Sequence, residues 1–191
     1  KVLIKRAALS SQQQLSLITS NLGEKIDNIS NYAITLSINS NIADVLKENP
    51  TVPENTLEHF LVNSELTDQA QRIIGLHKNI YAWDILDTEN HWFHSSTTET
   101  DQLDSILGPE VLDSLQTNLA FQFLGPFQIS GEPTFVALKS ITNIDNTKYL
   151  GALVLLIRET NISSAFRDLP DSSSRDFYIT DENGQILSSS S

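Results

Sequence analysis

The chain contains no cysteine, and that absence excludes both a disulfide framework and a thiolate metal site. An exported domain and a cytosolic one satisfy this equally. Methionine is absent too, which is unusual across 191 residues. Basic side chains are scarce: 12 Lys and Arg stand against 24 Asp and Glu, for a formal charge of -12. A nucleic-acid partner is thereby excluded, because phosphate binding needs clustered Lys and Arg. The one cluster, Lys1, Lys5 and Arg6, sits at the N-terminus. The longest apolar run, residues 152–157, falls far short of the roughly 20 residues a membrane helix needs. There is no signal peptide, and the first residue is Lys1 rather than Met, as expected of an excised fragment. Neither a glycine-rich phosphate loop nor a Gly-x-Ser-x-Gly elbow occurs.

What is present is arranged around one long helix. In residues 9–36 the apolar positions Leu15, Ile18, Leu22, Ile26, Ile29, Ala33 and Leu36 recur at steps of three or four, which aligns them along one helical stripe. A helix of roughly 28 residues extends about 42 Å. It falters at residues 37–41, where Ser and Asn side chains compete for backbone hydrogen bonds. Asn39 or Ser40 then caps a short helix through Leu46, and Asn49-Pro50 stops it. A third helix is expected over residues 53–74, with Pro53 in its first turn, an apolar face of Leu57, Phe60, Leu61, Leu66, Ala70, Ile73 and Ile74, and Gly75 at its end.

After Gly75 the pattern changes. Residues 80–86 and 91–95 are strand-like around a polar turn at 87–90, which makes a hairpin. Helical spacing over residues 101–115 is broken by Gly108-Pro109 into two short helices. Strands follow at 120–124, 134–142 and 149–158, with turns at Gly125-Pro126, 131–133 and 143–146. The almost continuously apolar stretch 149–157 is the expected central strand. A short helix at 162–169 leads into a serine-rich linker at 170–174. Residues 179–189 then echo residues 85–96: a strand, an acidic turn, and a second strand ending in serines.

The helix carrying Lys25-Ile26-Asp27-Asn28-Ile29-Ser30-Asn31-Tyr32-Ala33, then Ser37-Ile38-Asn39-Ser40-Asn41-Ile42, then Gly151-Ala152-Leu153-Val154-Leu155-Leu156-Ile157 and Phe177-Tyr178-Ile179-Thr180-Asp181-Glu182-Asn183-Gly184, resembles the double-Cache extracellular domains of bacterial sensor histidine kinases. The similarity is greatest to those of Gram-positive bacteria whose kinase pairs with an AraC-type response regulator. It implies an α+β fold in which a long N-terminal helical stalk carries a PAS-like antiparallel sheet flanked by helices, with the start of a second PAS-like module. The implied divisions are residues 1–48 for the stalk, 49–75 for a helical segment packing on it, 76–168 for the membrane-distal module, and 169–191 for a linker and the incomplete membrane-proximal module. The transmembrane helices, linker domain and kinase core would lie outside the chain. Many relatives that bind amino acids carry an Arg closely followed by an aromatic residue. No Arg occurs here between Arg72 and Arg158, so that ligand set is not matched.

The candidate ligand-binding residues are Tyr81, Trp83, Trp92 and His94 in the first hairpin, with Lys139, Asp145 and Tyr149 on or beside the facing strands. Tyr81 and Trp83 share one face of their strand, as do Trp92 and His94 of theirs. If the two faces coincide they form an aromatic wall with a polar edge, suited to a sugar ring or a cation. The competing reading is that both tryptophans are core. His91 and His94, three apart, point to opposite faces of a strand, so no zinc site is expected. The acidic turns Asp87-Thr88-Glu89 and Asp181-Glu182-Asn183 are read as solvated turns rather than calcium loops.

The expectation is a ligand-sensing ectodomain without catalytic activity or cofactor. It lies on the extracellular side of the membrane and takes a small molecule, such as a sugar, or a solute-binding protein. In the whole receptor it pairs as a homodimer through the N-terminal helix. The alternatives are a chemoreceptor ectodomain, a solute-binding module, or a small hydrolase.

Overall fold

A computed structural model of the chain describes residues 2–49, 52–53, 55–75, 79–95, 100–143, 145, 148–167, 177–180, 184 and 186–189. Two compact units are delimited, one spanning Ile29–Arg158 and the other combining Lys1–Asn28 with Glu159–Ser191.

The long helix α1 runs Val2–Ser37, seven residues further toward the N-terminus than residues 9–36 suggested. Within it Ile18, Ile29, Ala33 and Leu36 are buried, whereas Leu15, expected in the same stripe, is exposed. A 36-residue helix turns its stripe slowly around its axis, so a single face cannot be buried along its whole length. Helix α2 (Ser40–Glu48) starts where Asn39 accepts a hydrogen bond from the Ile42 N–H at 3.2 Å, the expected cap.

Helix α3 (Leu57–Ile74) starts later than expected. Thr56 caps it, accepting from the His59 N–H at 3.1 Å while its own hydroxyl donates to the Pro53 carbonyl, so Pro53 lies ahead of the helix rather than in its first turn. The buried stripe is Val62, Leu66, Ala70 and Ile74, at i, i+4 steps. Leu57, Phe60 and Leu61, expected in the core, are 75%, 66% and 59% exposed.

Five antiparallel strands form the sheet: β1 (Ala82–Asp87), β2 (Trp92–His94), β3 (Gln122–Ile129), β4 (Glu132–Thr142) and β5 (Tyr149–Arg158), in the order β2-β1-β5-β4-β3. The strand expected to be central is central, and residues 150–157 are buried throughout. Between β2 and β3 the chain forms α4 (Thr100–Ile106) and α5 (Pro109–Thr117), split at Gly108-Pro109 as the sequence indicates. Pro109 opens α5, where its missing N–H costs nothing.

Strand alternation sorts the core into two layers. Ala82, Leu86, Trp92, Val136, Leu138, Ala152, Val154 and Leu156 lie on one face beneath Leu103, Leu107 and Leu115 of α4 and α5. By register, Trp83, Ile85, Phe93, Phe135, Ala137, Leu153, Leu155 and Ile157 lie on the other, where α2 packs on β5 and α3 on β2.

Two glycines set the sheet's geometry. A Cβ on Gly151 would stand 2.4 Å from the Leu86 carbonyl oxygen, at φ 156°, so only glycine lets β1 and β5 approach there. Gly125-Pro126, expected as a turn between strands, instead lies inside β3 at a bulge between Leu124 and Phe127. An edge strand tolerates proline, since an outward N–H has no ladder partner to lose.

In the second unit, α6 (Glu159–Arg167) buries Ile162, Ser163, Ala165 and Phe166. The antiparallel hairpin of β6 (Tyr178–Thr180) and β7 (Ile186–Ser189) bears out the echo of the first hairpin. The linker at 170–174 and the turn at 181–183 lie outside the described residues.

Candidate ligand-recognition site on the first hairpin

The hairpin β1–β2 is built around two Asp–His pairs. Its register sets Asp84 opposite His94 and Leu86 opposite Trp92. Asp84 and Asp87 thus mirror His94 and His91 about the turn. His94 Nδ1 lies 2.7 Å from Asp84 Oδ1, and His91 Nδ1 lies 3.0 Å from Asp87 Oδ2. Asp84 is completely buried on the face covered by α4 and α5, while a quarter of the His94 side chain is exposed. With Asp84 ionised, Nδ1 carries the proton and donates, which leaves Nε2 as the ring's outward acceptor.

Trp92 lies beside His94 on this face, ring centroids 5.9 Å apart and planes 16° from parallel. Its indole N–H donates to Asp104 Oδ1 of α4 at 2.9 Å, which fixes the ring's orientation. A buried indole, a partly exposed imidazole edge and two carboxylates thus come together. Trp92 itself is 4% exposed and packs in the core beneath α4, so what the pair offers a solute is the exposed edge of His94, which can accept one hydrogen bond.

Helix α3 holds the hairpin from outside. Strand β2 is an edge, and its outward backbone groups need partners. Asn63 takes two of them: the His94 N–H donates to Asn63 Oδ1 at 2.8 Å, and Asn63 Nδ2 donates to the His94 carbonyl at 3.3 Å. His59 Nε2 meets the Trp92 carbonyl at 3.0 Å, and its ring stacks on Phe93 at 4.8 Å.

Asp87 corrects the reading of its turn as merely solvated. It is buried and accepts from the Glu89 and His91 backbone N–H groups, each at 2.8 Å, as well as from the His91 ring. Tyr149 stands near it; burial first, then the Asp87 charge, pushes the phenol pKa up to about 12.

The expected site residues separate into groups. Trp92 and His94 share one face and Trp83 lies on the opposite one; at 4% and 2% exposed both tryptophans are core, as in the competing reading, so they form no wall open to a solute. Tyr81 precedes β1, its hydroxyl 3.5 Å from Thr134 Oγ1 and its ring beneath the Arg158 guanidinium at 5.0 Å. Lys139 donates to the Leu119 carbonyl, and Asp145 is exposed in the β4–β5 connection. Sequence reasoning missed Asp84, Asp104, Asn63 and His59. An Asp between the apolar Trp83 and Ile85 of a strand was the available signal for the first. Among the described residues, no group of three or more His, Asp or Glu is placed to hold a metal ion.

No protein-family model and no curated protein sequence matches the chain. Solved structures do. The sensory domain of the Campylobacter jejuni chemoreceptor Tlp3 (CcmL) matches with a TM-score of 0.67 at 13% identity, over 98% of this chain and 74% of that one. The sensor domain of the V. cholerae histidine kinase DctB matches at 0.68 and 16% identity, over 98% and 68%. The ligand-binding domain of the Pseudomonas fluorescens chemoreceptor CtaA in complex with L-serine matches at 0.61 and 12%, over 95% and 72%. At these identities the likeness is one of fold. The chain has the α+β, PAS-like fold of receptor sensory domains.

Proposed function

We propose that this chain is the ligand-sensing part of a membrane receptor, without catalytic activity of its own, and that the receptor is a two-component sensor histidine kinase. The observation that carries this reading is the partly exposed His94, braced by Asp84 against the buried Trp92, on a sheet whose fold is shared with the DctB sensor domain. In this reading the unit Ile29–Arg158 is the sensing module and the hairpin β6–β7 begins a second one. The Gram-positive class and an AraC-type response regulator follow from the sequence resemblance. The chain would lie on the extracellular side; among the described residues, no helix is long and apolar enough to cross a membrane.

A small solute, a sugar among them, or a solute-loaded binding protein would favour one conformation of the module. It would drive the change only by its difference in affinity between the two states. Two stalks paired through α1 would carry the shift; the exposed Leu15 and Leu17 supply apolar surface for that contact. The test is a thermal-shift screen against sugars, amino acids, organic acids and short peptides, because a ligand that binds only the folded state raises the melting temperature. A hit weakened by His94→Ala, in a variant whose melting curve still shows a folded protein, supports the reading. Non-peptide hits indifferent to His94, or no such hit at all, count against it.

The second reading, a chemoreceptor ectodomain, is favoured by the fold match to Tlp3 and CtaA. The two differ in what the gene encodes downstream: a histidine-kinase core in one, a long cytoplasmic coiled coil in the other.

A further inference from the structure

Where α1 gives way to α2, two cavities open side by side next to β4. One, of about 240 Å³, is lined by Ile34, Leu119, Lys139 and Ser140 among others. The other, of about 260 Å³, has Ala43 and Leu150 among its apolar walls and Asp44, Lys47 and Asp145 among its polar ones. Ile38 and Thr142 line both, so the two adjoin along β4 with the exposed Ile38 between them and together make one cleft a chain could follow.

The charges are distributed unevenly along it. At one end stands the Lys139 ammonium, partly desolvated by burial, which pushes its pKa below the ordinary value. It donates to the Leu119 carbonyl, which uses one of its three N–H bonds and leaves two. At the other end two carboxylates outnumber one ammonium. Among the described residues, the side chains of Asp44, Lys47 and Asp145 enter no hydrogen bond or ion pair.

We propose that this cleft binds a short peptide in extended form, its C-terminal carboxylate on Lys139 and its N-terminal amine between Asp44 and Asp145. Lys139 and Asn143, which line opposite ends, are four residues apart on and just beyond β4, or about 13 Å at the usual rise of a strand. An extended chain of about four residues covers that length. The exposed Ile38 offers its middle an apolar contact, and Lys47 disfavours a basic first residue. The proposal does not rest on the sensory reading, because it concerns binding to the chain itself.

The test is calorimetric titration of the chain with the peptide Ala-Leu-Leu-Ala, free at both ends, against its N-acetylated and C-amidated forms. The free peptide should bind, and each cap should weaken binding at least about tenfold. Lys139→Met should bind free and amidated peptide equally, while Lys139→Arg should still tell them apart. Asp145→Asn should narrow the gap between free and acetylated peptide. A melting curve for each variant establishes that it is folded. Binding indifferent to both caps, or no binding at millimolar peptide, would overturn the proposal.

Discussion

Replacing Asp84 and His94 singly and together asks whether the hairpin is organised by the contact between them. His94 Nδ1 stands 2.7 Å from a carboxylate with no solvent exposure, the geometry of a charge-assisted hydrogen bond. Such bonds contribute about 1.5–3 kcal/mol. The quarter exposure of His94 lets water compete and places the expected coupling near 2 kcal/mol. His94→Ala and Asp84→Ala should then each cost about 2–3 kcal/mol, and the double variant about 3 rather than about 5, because the second removal finds the bond already gone. Urea unfolding followed by tryptophan fluorescence is the assay. Both tryptophans of the chain, Trp83 and Trp92, lie in the unit Ile29–Arg158, so the signal reports on that unit. The midpoints should shift with the slope unchanged. Costs that add to within about 0.5 kcal/mol would refute the coupling and with it the organising role assigned to Asp84.

Other perturbations probe the frame. Gly151→Ala forces a Cβ against the Leu86 carbonyl and should destabilise by about 2 kcal/mol or more, read by the same unfolding curves. On α3, Leu66→Ala should cost about 2–5 kcal/mol, whereas Leu57→Ser and Phe60→Ser, at exposed positions, should each stay within about 0.5 kcal/mol. Tyr149 should ionise near pH 12, seen as a late rise in tyrosinate absorbance missing from Tyr149→Phe. Between pH 10 and 12 the unfolded chain releases that proton while the folded chain keeps it, so stability intact below pH 10 should fall as the pH rises through this window.

Periodicity alone makes most of this fold legible. The apolar run of β5 marks a strand buried on both faces, Gly108-Pro109 marks the break between α4 and α5, and Asn39 marks a helix start. The misses share a cause: local pattern does not say which surface another element covers. Leu57, Phe60 and Leu61 have the right spacing for a core stripe, but it is the stripe through Val62 and Leu66 that turns inward. Gly125-Pro126 has turn chemistry, yet at a sheet edge the same pair makes a bulge. The site was half legible. Strand alternation pairs Trp92 with His94, but whether Trp83 shares their face depends on the hairpin register. Counting outward from the turn gives that register and sets Asp84 against His94. Asp104 and Asn63 come from helices distant in sequence, and only the packed structure brings them to the hairpin.

The most direct measurement is calorimetric titration of the chain and of its His94→Ala variant with the strongest non-peptide hit from the solute screen. The account predicts saturable binding of one solute per chain, at least about tenfold weaker in the variant while the melting curve still shows a folded protein. Equal affinity in the two proteins would contradict it, as would the absence of any binding solute among sugars, amino acids and organic acids.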